Sequence, residues 1–129
     1  MISPSLLNIL DAVAIMSHAV VNRMETRKLR EIIEIVNVDS QGIAVTNTPF
    51  LWDAKKNVFY FKKDSQVFRK ISQKFGISID DLHKEMEIRA KLLFELKKRG
   101  IFDFHQTQRI INEYHKNPDY VLSAFGILK

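Results

Sequence analysis

No cysteine occurs among the 129 residues, and that absence excludes disulfides, thiolate catalysis and cysteine-based zinc sites together. Such a chain suits a reducing compartment. Glycine is scarce, and Gly42, Gly76, Gly100 and Gly126 each stand alone. A phosphate-binding loop needs glycines that let backbone N–H groups close around phosphate, followed by Lys and Ser or Thr. None of these glycines precedes such a pair, so this chain cannot cradle a nucleoside triphosphate in that way by itself. His18, His83, His105 and His115 show neither an i,i+4 pair nor another metal-motif spacing. Long apolar runs are missing too. None approaches the roughly 18 to 20 residues that a spanning helix needs, and the opening MISPSLLNILDAVAIMSHAVV lacks a basic leader and contains Asp11. A cytoplasmic protein is expected.

What is present is enough apolar content, 46%, to bury a core in one ordinary domain, or in a small domain with an appendage. The net charge of +5 comes from scattered groups: Lys55, Lys56, Lys62 and Lys63, then Arg69, Lys70 and Lys74, then Lys97, Lys98 and Arg99. Solvated helix faces and loops account for them. A patch for phosphate or another anionic surface is the alternative, without an aromatic-interleaved RNA motif or zinc finger to support it.

The first half reads as extended structure. Ala12 to Val21 and Leu29 to Val38 are rich in Val and Ile, and REIIEIVNV sets Glu31 and Glu34 inside a branched apolar run, the pattern of a mostly buried strand. With Met24, Glu25 and Thr26 in the connection, the two runs form an antiparallel hairpin. Asp39-Ser40-Gln41-Gly42 is a turn, IAVTNTPF a third strand bounded by Pro49, and NVFYF, Asn57 to Phe61, a fourth.

The period then changes. Asp64 and Ser65 cap a helix with Val67, Phe68, Ile71 and Phe75 at helical spacing, and Gly76 stops it. Ser78, with Asp81 three residues on, opens a second helix whose apolar stripe is Leu82, Met86, Leu93 and Leu96, ending at Gly100. Within it Glu85 can face Arg89. Asp103 with Gln106 caps a third helix carried by Ile110, Ile111 and Tyr114, and Asn117-Pro118 ends it and begins a short fourth. The expected fold is α+β: an N-terminal antiparallel β-meander of about four strands, then a bundle of three to four helices. The β-rich segment is 1–63 and the helical bundle 64–129, packed as one compact unit. Phe59, Phe61, Phe68, Phe75, Phe94, Phe102, Phe104, Tyr114 and Phe125 are expected mostly in the core.

Read in order, these pieces resemble the C-terminal part of the archaeal type II/type IV secretion ATPases, the RecA-like hexameric motors of pili, archaella and related secretion systems. The resemblance runs through Pro4, Leu7, Leu10 and Asp11 before the first strand, and through Arg27-Lys28-Leu29 leading to Glu31-Ile32 and Glu34-Ile35. It continues through Phe50, Trp52 and Asp53 followed by Phe59, then Ser65 with the helix ending at Gly76, and Glu85, Arg89 and Leu93. The junction Gly100-Ile101-x-Asp103-Phe104 and Tyr114 with Pro118 and Val121-Leu122 complete it. It covers essentially the whole chain as scattered residues in order.

The resemblance implies that the ATP-binding loop, the magnesium-handling acidic motifs and the histidine motif lie upstream of Met1. No catalytic, cofactor-binding or metal-binding residue is then expected here, and ATP and magnesium belong to the parent protein. The implied role is a portion inactive alone, forming subunit interface in a ring and passing motion to a membrane platform protein from a position peripheral to the cytoplasmic membrane. Implied partners are the rest of the ATPase, neighbouring subunits and the platform. Strands that have lost neighbours from a parent sheet are expected to self-associate through Ala12 to Val38. The alternative reading is a basic nucleic-acid-binding module.

Overall fold

A computed structural model describes residues 4–7 and 9–127. Two consecutive residues with positive φ, Asn22 at 52° and Arg23 at 64°, reverse the chain between strands β1 (Ala12–Val21) and β2 (Met24–Val38). Positive φ at both central residues matches the right-handed twist of the flanking strands and lets a hairpin close in two residues. Met24, Glu25 and Thr26, expected in the connection, therefore belong to β2. The Asn at the first turn position was the signal for the tighter turn, since Asn tolerates this conformation better than most side chains.

Strand β3 (Ala44–Asp53) pairs antiparallel with β2, and β4 (Val58–Phe61) with β3, giving the order β1-β2-β3-β4. The turn between β2 and β3 is held by the Asp39 carboxylate, which accepts from the N–H groups of Gln41 (2.9 Å) and Ile43 (2.8 Å). Pro49, expected to bound the third strand, lies inside β3 and is buried. Ile32 pairs with Phe50 and Glu34 with Asn47, so Thr48 and Pro49 together oppose Ile33. This bulge accommodates a residue without an N–H, which is how proline enters a sheet interior.

Register places Ala14, Ile32, Phe50 and Phe61 on one face, and Ile15, Glu31, Leu51 and Tyr60 on the other. Helix α2 (Gln66–Phe75) lies on the first face, with the Phe61 and Phe68 ring centroids 6.4 Å apart. It is capped by Ser65 and stopped by Gly76 at φ 68°. A short helix α1 (Pro4–Leu7) precedes β1.

The chain divides into two compact units, Met1–Gly76 and Ile77–Lys129. The change of period near residue 64 marks a change of secondary structure; α2 belongs with the sheet, and the boundary between units follows Gly76.

The second unit contains α3 (Ile79–Lys98), α4 (Phe104–Lys116) and α5 (Pro118–Ala124). Each begins as its cap residue dictates: the side chains of Ser78, Asp103 and Asn117 accept from the N–H groups of Asp81, Gln106 and Tyr120. The core is small, comprising Leu92, Tyr114, Val121 and Leu122, with Ile88, Ile110, Phe125 and Ile127 packed against it. Full burial of one such aliphatic side chain is worth about 1.5–3 kcal/mol, so each of these carries a large share of the unit's stability. Of the expected stripe on α3, Leu96 is buried and Leu82 and Met86 are half-buried, but Leu93 is 55% exposed and Leu92, 4% exposed, takes its place. Two adjacent leucines offered the helix two phases, and packing against Tyr114 and Leu122 selects Leu92. The aromatic expectation also changes: Phe59, Phe75, Phe94, Phe102 and Phe104 are exposed, and of that set Tyr114 is the one fully buried. No helix among the described residues is long and apolar enough to cross a membrane.

Two outcomes check these placements. Leu92→Ala is expected to cost about 3 kcal/mol in urea unfolding while Leu93→Ala stays within about 0.5 kcal/mol; equal effects would contradict the phase of α3. Arg23→Gly is expected to stabilise the first unit by roughly 0.5–1 kcal/mol, because glycine carries no steric cost at φ 64°, and a loss of stability would argue against the two-residue turn.

Candidate functional site

Glu34 sits in the middle of the sheet, and its side chain is 2% exposed. A carboxylate buried in that position costs several kcal/mol unless hydrogen-bond donors compensate it. It meets that demand at the N-terminus of α2. Oε2 accepts from the Gln66 N–H (2.7 Å) and from Asn47 Nδ2 (2.9 Å), and Oε1 from the Ser65 hydroxyl (2.5 Å) and the Val67 N–H (3.3 Å). The Ser65 oxygen in turn accepts from the Phe68 N–H at 3.1 Å. The first three N–H groups of α2, which a helix cannot satisfy internally, thus all end on Glu34 or Ser65. Asn47 also donates to the Asp64 carbonyl at 2.7 Å, tying β3 to the same helix start. Burial pushes the Glu34 carboxyl pKa up, but the bonds from Ser65, Gln66, Asn47 and Val67 outweigh it and hold the value below its ordinary one. The helix dipole adds to the preference for charge. A carboxylate so saturated has no lone pair free to take a proton from substrate; it is a joint.

The second unit has a related arrangement. Arg89 Nε donates to Glu85 Oε1 at 2.8 Å, one turn apart on α3, and the Tyr114 hydroxyl on α4 donates to the same oxygen at 2.8 Å. The guanidinium lies 5.9 Å from the Tyr114 ring centroid. Burial, and then the Glu85 carboxylate accepting its proton, raise the Tyr114 pKa. The Arg89 pKa is raised chiefly by its bond to Glu85.

The other family-like residues fall at turns and strand positions. Phe50 stacks on Phe59 with centroids 5.4 Å apart, and Lys28 lies 5.8 Å over the Phe59 ring. Trp52 is buried and its indole N–H donates to Asn57 Oδ1 at 3.2 Å, while the Asp53 carboxylate accepts from the N–H groups of Lys55 (2.9 Å) and Lys56 (3.0 Å). Trp52 and Asp53 thereby close the β3–β4 turn from both ends, with Asn57 at φ 51°. Arg27 pairs with His18 across the first hairpin, and Glu31 is 3.5 Å from Arg30. Gly100, at φ 67°, ends α3; Asp103 caps α4; Pro118 opens α5. The structure brings Arg89 to Tyr114 and Phe50 to Lys28 through Phe59, and leaves Gly100, Asp103 and Pro118 as separate helix boundaries.

Sequence reasoning missed Asn47 and Asn57 as partners, and missed Ser65 as a donor to Glu34. A glutamate inside an aliphatic strand signalled that a partner must exist. Its identity was not legible, because Asn47 and Ser65 lie 13 and 31 residues away in the chain. Among the described residues no group of three or more His, Cys, Asp or Glu side chains could hold a metal ion. An open groove of about 820 Å³ between α4 and α5 is lined by Arg109, Glu113, Lys116 and Tyr120 among others.

No family model matches the chain. It is 31% identical over 97 residues to the uncharacterized protein MJ0900 of Methanocaldococcus jannaschii, an alignment covering 68% of this chain and 17% of that relative. The chain thus spans under a fifth of the length of the curated relative it matches.

Glu34→Gln is expected to lower stability by about 3 kcal/mol at neutral pH, since an amide offers one acceptor oxygen where the carboxylate offered two and leaves buried donors unsatisfied. The folded-state pKa lies below the ordinary value of 4.5, so the advantage of the native chain over this variant is complete above that pH. It shrinks as the pH falls from 4.5 through the folded pKa. Urea midpoints for both chains between neutral and strongly acid pH check this; a constant difference would refute the assignment.

Proposed function

We propose that this chain is the C-terminal, non-catalytic portion of a secretion or pilus-assembly ATPase resembling the archaeal type II/type IV motors. In this reading it supplies subunit interface in a hexameric ring and transmits nucleotide-driven motion to a membrane platform protein. ATP and magnesium are handled by parts of the motor outside this chain, and attachment to the cytoplasmic membrane is peripheral, through the platform.

The observation that supports this best is the work done by the family-like residues. Glu34, Trp52, Asp53, Arg89, Gly100, Asp103, Tyr114 and Pro118 cap helices, close turns or join elements. They are residues of a part that must hold its shape while chemistry proceeds elsewhere. The relative, of which the match covers 17%, is consistent with a segment that belongs to a much longer polypeptide. A basic nucleic-acid-binding module has less support: Arg30, Arg69, Lys70, Lys84, Arg89 and Lys98 each face a carboxylate of this chain, which reduces the charge left for phosphate.

The purified chain, given ATP and magnesium, is expected to release no phosphate above the buffer background; turnover by the chain alone would overturn the non-catalytic assignment. Upstream of Met1 in the genome, a continuous reading frame encoding Gly-x-x-x-x-Gly-Lys-Ser/Thr is expected. A stop codon immediately before Met1 would count against the motor reading.

A further inference from the structure

Among the described residues the sheet and its hairpin leave three backbone edges without a paired strand, and two of them are guarded. β4 is four residues long and is bracketed by Lys55, Lys56, Lys62 and Lys63. The part of β2 before Glu31, where pairing with β3 begins, carries Glu25, Arg27, Lys28 and Arg30. Short length and charge are the usual defences against edge-to-edge pairing. β1 has neither. Its ten residues, AVAIMSHAVV, contain no Asp, Glu, Lys, Arg or Pro, and none of them is buried. The bulge in its pairing with β2 places the extra residue, Arg30, on β2, so β1 itself runs unbroken. Met16 and Val20 stand 59% and 72% exposed on it.

The need for a neighbour is greatest at the outer end. From Met16 to Leu29 the hairpin extends beyond the pairing with β3 as a ribbon of two strands, and such a ribbon alone is marginal in water.

We propose that β1 is a homodimerisation edge, pairing antiparallel with β1 of a second copy of this chain. A strand is its own antiparallel complement about a two-fold axis, so one unguarded edge suffices for a closed dimer. The pairing turns the ribbon into the four-stranded order β2-β1-β1′-β2′ and satisfies the outward N–H and C=O groups of β1 on both copies. It narrows the contact expected over Ala12 to Val38 to a single strand, and it does not rest on the secretion-motor reading.

Sedimentation equilibrium and hydrogen–deuterium exchange on the full chain across a concentration series test it. The mass is expected to rise from 15.1 kDa toward twice that value, with protection gained in the β1 amides that point away from β2. Met16→Lys and Val20→Lys, both at exposed positions and checked for folding by circular dichroism, should each raise the dissociation constant at least roughly tenfold. Tyr60→Lys on β4 should leave it unchanged. A monomer at every concentration, a dimer that persists in both β1 variants, or outward-facing β1 amides, those not bonded to β2, already protected in the dilute monomer would each overturn the proposal.

Discussion

The first unit depends on one buried negative charge. A carboxylate on the second strand of a sheet is tolerable only where donors converge, and the start of α2 supplies them: two backbone N–H groups and the hydroxyl of its own cap, with an amide from β3 completing the set. The requirement runs both ways. The helix start needs an acceptor because its N–H groups have no partner inside the helix, and Glu34 needs donors because it has left water. Neither is stable without the other, so the position of α2 on the sheet follows from electrostatics as much as from the contact of Phe61 with Phe68.

The same economy recurs elsewhere on a smaller scale. Trp52 and Asp53 fix the β3–β4 turn by binding its far end and its backbone. Tyr114 and Arg89 share one oxygen of Glu85, so a core tyrosine keeps its hydroxyl satisfied at the edge of the buried cluster. Arg99 uses its guanidinium on the carbonyls of Ala124 and Phe125 while lying 4.5 Å from the Phe125 ring centroid, which closes the C-terminal end of α5. Polar chemistry in these places orients elements.

The apolar surface carries a separate message. The second unit buries few side chains, while Phe94, Phe102 and Phe104 stand in water, and the first leaves its longest uncharged strand open at an edge. Composition foretold many aromatics and could not say which way they point. A helical period selects a face only when the apolar residues define one phase, and on α3 the adjacent pair Leu92 and Leu93 defined two. Phe102 precedes the cap of α4 and Phe104 opens that helix, positions where no periodicity assigns an inside.

Local chemistry was legible from the residues alone: the strand-then-helix order, the caps at Ser65, Ser78 and Asp103, the helix boundary at Asn117-Pro118, and the stop at Gly76. Each rests on interactions within a few residues, which the order of amino acids specifies directly. Three things waited for the tertiary structure: the partners of Glu34, the bulge that admits Pro49 into β3, and the division of the chain after α2 instead of before it. All three depend on groups far apart in the chain that meet only once the sheet has formed, and a linear pattern contains the need for such a meeting without naming the residue that answers it.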